Sequence, residues 1–238
     1  MNINPENTQP SGYQFNMTAY DHRTHEGFMY SARRNQAELT KLINRHFERT
    51  SRILVIRIDL RYRQEVVNTL SIETVLLHRK QLLEDRRSHP KVFKGLLGYA
   101  WCLEEGEFEG GYHYHLLALY DGADHQEDIG IALAIRDLWS SITNGDGQCY
   151  ISNFDKEKLN EQGCLGIGMI HRNDRDLRIN LIEKVATYLT KSSTVFTIRS
   201  NSTTSGEFRT FGKSRMPKPL DPNVPRRGRP PAPSDLVW

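Results

Sequence analysis

Apolar residues recur along this chain with two different periods, and the alternation between them outlines an ordered set of elements. Over residues 35–50, Leu39, Leu42, Ile43 and Phe47 fall three and four apart, which predicts an amphipathic helix. In RILVIRIDLRYR the period drops to two. Leu54, Ile56, Ile58 and Leu60 take one face and Arg57 and Asp59 the other, so this is a central strand with one polar side. The helical period returns over residues 71–87 through Ile72, Val75, Leu76, Leu82 and Leu83, with Ser71 as its cap and Pro90 as its stop. It returns again over residues 126–142 through Ile129, Leu133, Ile135, Leu138 and Trp139, all read as core. Residues 149–153 and 164–172 read as short strands. A last helix is predicted over residues 176–192, DLRINLIEKVATYLTKS, with Leu177, Leu181, Ile182, Val185 and Leu189 as its stripe and Asp174 or Asp176 as its cap.

Residues 99–120, YAWCLEEGEFEGGYHYHLLALY, organise the rest. Two aromatic and apolar runs flank a Gly/Glu-rich turn, which predicts a hairpin. Residues two apart on a strand share a face, so His113 and His115 present their imidazoles side by side, with Tyr114 toward the core. Folding back at the turn brings the end of the first strand beside them. Alternation puts Glu105 with Trp101 and Leu103, and Glu104 with Cys102; Glu105 is the expected third ligand and Glu104 the alternative. Two imidazoles and a carboxylate suit Mg²⁺ or Mn²⁺, and the same set also suits Zn²⁺. On the last helix Tyr188 and Lys191 are three apart and project from one face.

The HYH of His113 to His115, the carboxylates of LEEGEFEGG before it and YLTK at Tyr188 to Lys191 together resemble the HUH endonucleases, of the single-tyrosine rolling-circle type. RIDLRYR, GYHYHLLALYDG, Trp139 and GIGMI add a similarity to the replication initiators of filamentous phages and prophages. The resemblance implies an α+β fold with a central antiparallel sheet of ferredoxin-like, split βαβ type, helices packed on one face and the metal site on the other. It implies Tyr188 as the nucleophile on single-stranded DNA, Lys191 beside the phosphate, and Mg²⁺ or Mn²⁺ held by His113, His115 and Glu105. A strand is nicked and rejoined through a 5′-phosphotyrosine, at an origin or hairpin, with a host or phage helicase and polymerase as partners. Asp59, on the strand beside the histidines, orients a liganding histidine or pairs with Arg57. Cupins and metallo-β-lactamases place different acidic residues after their histidines. The GxxxxGK[ST] phosphate loop is absent, so unwinding falls to a partner.

Charge sharpens the picture at the C-terminal end. The chain carries a net +3, but residues 212–238 hold six Lys/Arg against two Asp, which leaves the rest near neutral. Arg209, Lys213 and Arg215 interleave with Phe208 and Phe211, a composition suited to single-stranded DNA, and Arg57 is a further candidate on the polar face of the first strand. The organisation expected is an irregular leader over 1–34, with His22, His25 and Glu26 on a solvent-facing loop, an HUH-like nicking domain over 35–211 and a basic, proline-rich disordered tail over 212–238. Gly166 and Gly168 allow either a DNA backbone or another element to approach, and His171 is an extra ligand only if its strand borders the hairpin. Cys102, Cys149 and Cys164 form no CxxC pair, and neither a signal peptide nor an apolar span is present, so a reduced, cytoplasmic setting is expected.

Overall fold

The strand Arg52–Tyr62, here β1, is buried along nearly its whole length, because elements cover it on both faces. In the computed structural model, residues 19–84, 88–106, 111–191 and 208–220 are described. The helix α1 (Ala19–Arg49) leads into β1, followed by α2 (Gln64–Val67), α3 (Ile72–Glu84) and α4 (Pro90–Phe93). The hairpin strands are β2 (Leu96–Gly106) and β3 (Gly111–Asp121), and α5 (Asp128–Ile142), β4 (Gly147–Ile151) and α6 (Lys156–Glu161) come next. After β5 (Gly168–His171), the last helix is built from α7 (Arg175–Asn180), a π-helical stretch (Leu181–Ala186) and α8 (Thr187–Leu189). The strand β6 (Phe211–Lys213) returns to the sheet.

The fold is α+β, as expected. Six strands form one antiparallel sheet in the order β4-β1-β3-β2-β6, and β5 also pairs with β1. Thus β4 and β5 sit end to end along one edge of β1, opposite residues 58–62 and 52–55. The gap between them is filled by Asn153. Its Oδ1 accepts from the Arg57 N–H at 3.0 Å and its Nδ2 donates to the Val55 carbonyl at 2.9 Å, so backbone groups that would lack a ladder partner stay bonded.

One face of the sheet carries Leu54, Ile56, Ile58, Trp101, Leu103, Tyr114 and Leu116 against α3, α4 and α5, where Trp139 is fully buried. The second face is covered too. Leu39, Leu42, Ile43 and Phe47 of α1 and Leu181, Val185 and Leu189 of the last helix pack on Ile53, Val55, Ala100, Leu117 and Leu119. The caps follow the sequence: Ser71 Oγ accepts from Thr74 N at 3.2 Å, and Asp174 Oδ1 from Leu177 N at 3.1 Å.

Two expected boundaries are corrected. The leader is helical from Ala19, so its part from 19 to 34, including the stretch read as a loop around Glu26, belongs to α1. Apolar positions there follow no helical stripe, but Ala, Arg, Glu and Met favour a helix by propensity where periodicity gives no signal. The tail boundary moves as well, because Phe211–Lys213 pairs with β2 and Ser214 N donates to the Tyr99 carbonyl at 2.8 Å. The remainder of the expected tail, 221–238, and the first 18 residues lie outside the described residues. Among the described residues, no helix is long and apolar enough to cross a membrane.

Candidate metal centre

On the second face, alternation along β1 places Arg57, Asp59 and Arg61 in line beyond the apolar Ile53 and Val55. The register adds a neighbour to each. Asp59 lies opposite His115 and Cys102 opposite His115 from the other side, while Glu104 lies opposite His113. Directly opposed residues of an antiparallel pair share a face, so a cluster of charged and imidazole groups forms where the apolar layer ends.

Glu104, not Glu105, completes the cluster. The pairing Gly106↔Gly111 sets Glu105 against Tyr112, on the face of Trp101 and Tyr114, and turns Glu104 toward the histidines. Glu104 Oε2 stands 2.6 Å from His115 Nε2 and 3.3 Å from His113 Nε2. One ligand atom from each of Glu104, His113 and His115 lies within 4.8 Å of the others, so this group could hold a metal ion.

The outer hydrogen bonds orient both rings for that role. His115 Nδ1 donates to Asp59 Oδ1 at 2.6 Å, and His113 Nδ1 donates to the Gly111 carbonyl at 3.3 Å. With Nδ1 occupied by that carbonyl, His113 turns Nε2 toward the Glu104 carboxylate, and two imidazole nitrogens and a carboxylate oxygen that converge in this way are a donor set that fits a cation. Burial alone would lower the pKa of His115, but the hydrogen bonds it makes to the Asp59 and Glu104 carboxylates on either side outweigh it and hold the pKa above the usual value. Burial would raise Asp59, and its bond to His115 instead brings it below the usual carboxylate range. Asp59 is 3% and His115 1% exposed, so the pair is sealed from water.

The last helix delivers Tyr188 to this cluster. Leu181, Val185 and Leu189 anchor it to the apolar half of the face, and Gln36 of α1 donates to Thr187 Oγ1 at 2.7 Å. The π-helical turn before Tyr188 changes the angular position of every residue after it, and the Thr187 hydroxyl closes that turn on the Ile182 carbonyl at 3.2 Å. The Tyr188 ring stands edge-on to His115, centroids 4.9 Å apart. The Arg57 guanidinium lies 4.2 Å from the Tyr188 centroid and Lys191 Nζ 3.9 Å. Burial first, then the charges of Glu104 and Asp59, raise the Tyr188 pKa, and Arg57 and Arg61 oppose them.

The other expected site residues divide. Arg57 joins the centre. Arg209 and Lys213 line a groove of about 720 Å³ between α1 and β6, where Lys213 pairs with Glu38 at 3.3 Å, and Arg215 is exposed beyond it. Gly166 and Gly168 serve packing. A Cβ on Gly166 would meet Leu181 N at 2.5 Å, and one on Gly168 would press on Lys156 at a φ of +82°. His171 pairs with Arg52 on β1, not with the hairpin. Arg61, whose NH2 donates to Asp59 Oδ2 at 3.2 Å, went unread, although it continues the alternation of Arg57 and Asp59.

No curated protein matches this chain, and no solved structure does. A family match spans residues 24–214, from within α1 to just past β6, and takes in the whole sheet, both histidines, Glu104 and Tyr188; the chain belongs to the YagK/YfjJ C-terminal domain family.

Proposed function

We propose that this protein is an HUH-type endonuclease that nicks and rejoins single-stranded DNA, and that it starts rolling-circle replication of a filamentous phage or prophage in the cytoplasm. The observation that carries the reading is the phenol of Tyr188 packed on His115, with two cationic side chains on its ring, beside a set of groups able to hold a metal. A tyrosine placed for structure alone has no need of that company.

In this reading Tyr188 Oη attacks the phosphorus of one phosphodiester. The bond to the 3′ oxygen breaks, that oxygen takes up a proton, the phenol gives up its own, and the 5′ phosphate remains esterified to Tyr188. Attack by a 3′-hydroxyl on the same phosphorus reverses the step and reseals a strand without a nucleotide cofactor. Glu104, His113 and His115 would hold Mg²⁺ or Mn²⁺, which supplies Lewis-acid polarisation of a non-bridging phosphate oxygen. Asp59 keeps the His115 ring aimed. Lys191 and Arg57 offset negative charge on the phosphoryl group and the phenol oxygen.

The experiment is a denaturing gel after incubation with Mn²⁺ and single-stranded oligonucleotides drawn from candidate origins. A covalent protein–DNA adduct is expected from the wild type and none from Tyr188→Phe. Phosphoester cleavage that survives Tyr188→Phe would overturn the tyrosine route in favour of direct hydrolysis. Binding with no adduct across the whole oligonucleotide set would favour a protein that recognises an origin without cutting it.

A further inference from the structure

The sheet row that holds Asp59 and His115 continues one strand further, to Tyr150 of β4, which lies opposite Asp59. The alternation of β4 turns Cys149 toward the core and leaves Gln148 and Tyr150 exposed on the face of the metal cluster. Tyr150 is 47% exposed. Its hydroxyl donates to Asp155, so the ring is pinned rather than free to fold down onto the sheet. The Arg61 guanidinium bridges the two sites, bonded to Asp59 at 3.2 Å and 6.0 Å from the Tyr150 centroid.

We propose that Tyr150 is a stacking platform for a base of the single strand whose phosphate lies at the Glu104–His113–His115 centre, an inference that rests on the functional reading above. Every base offers a π-face, so an immobilised exposed ring beside fixed cations suits single-stranded DNA without demanding a sequence. Two strand spacings, roughly 10 Å, separate Tyr150 from His115, a distance the nucleotides flanking a held phosphate can span. Arg57 and Arg61 lie between, where the connecting backbone would pass, and Asp59 is already engaged by His115 and so turns little free negative charge toward it.

The test is equilibrium binding of the full chain, carrying Tyr188→Phe to block adduct formation, to a fluorescent oligothymidylate of about 12 nucleotides and to a randomised single-stranded pool. Adding Tyr150→Ala is expected to weaken binding roughly 5- to 150-fold. Tyr150→Trp, which keeps a flat ring, is expected to restore it. An oligonucleotide containing 2-aminopurine reports stacking directly, through quenching present with Tyr150 and lost with Tyr150→Ala. Equal binding with and without Tyr150→Ala overturns the inference and leaves the functional reading to its own adduct test. Weakening that Tyr150→Trp fails to rescue assigns the ring a structural role and also overturns it. If the parent protein binds neither probe, the functional reading falls and takes this inference with it.

Discussion

Two histidines are buried on the same face of this sheet, and their environments push them in opposite directions. His46 of α1 is 4% exposed and lies over Gly98, with no hydrogen-bond partner for its Nε2 among the described residues. Burial, aided by Arg49, lowers its pKa to about 4. His115 is 1% exposed, yet its pKa is raised, because both ring nitrogens meet carboxylates. Equal burial thus has opposite consequences. The half of the face under α1 and the last helix is built to exclude charge, and the half at Tyr188 is built to hold it.

The sharpest way to break that division is to move a charge across it. Leu119 lies four residues from His115 on the same strand and face, opposite Val55 and Gly98, and is fully buried in the apolar half. Leu119→Asp places a carboxylate there with no Lys or Arg opposite it on either neighbouring strand and should cost more than about 4 kcal/mol, enough to unfold most of the protein. Urea or thermal unfolding reads it; a variant melting within a few degrees of wild type would show that the two halves do not differ.

Metal affinity tests the other half. By calorimetry with Mn²⁺, Glu104→Gln should lose more than the roughly 10- to 100-fold that follows removal of a group merely supporting a ligand, whereas Glu105→Gln should bind as wild type does. Equal losses would contradict the assignment of Glu104. Asp59→Ala should cost about 10- to 100-fold, because His115 would lose the bond that fixes its ring. Unchanged affinity there would reduce Asp59 to a partner of Arg61.

Much of this architecture was legible beforehand. The periods marked β1, the hairpin, α3, α5 and the last helix, because each buries a regular apolar stripe. The two histidines, Tyr188 and Asp59 could be named because alternation and helical spacing fix directions locally. The third member of the cluster was misread, although the clue was present. If Trp101 and Tyr114 both face the core, Glu105 must face it too, and Glu104 must join the histidines. Register is a relation between strands, and reasoning along one strand does not impose it. Likewise, β6 is three residues long and paired only through β2, so nothing in its own sequence marks a strand.

The smallest effect concerns acid, and its sign separates the two histidines. His46 titrates near 6.5 when unfolded and at about 4 when folded. Between those values the unfolded chain takes up a proton that the native protein refuses, so stability falls as pH drops through 6.5 toward 4. At pH 5.5 the loss relative to pH 7 should be about 1.2 kcal/mol. His115 has the opposite sign: its contribution is complete below 6.5 and declines as pH rises through its elevated folded value. His46→Leu keeps an apolar side chain under α1 and removes only the first of these. Because His115 is common to both proteins, urea unfolding at pH 7 and 5.5, with chelator present, should show the wild type losing about 1.2 kcal/mol more stability on acidification than His46→Leu does. Identical losses in the two proteins would mean that His46 is already reached by water, and that the apolar half of the face is less closed to charge than its burial implies.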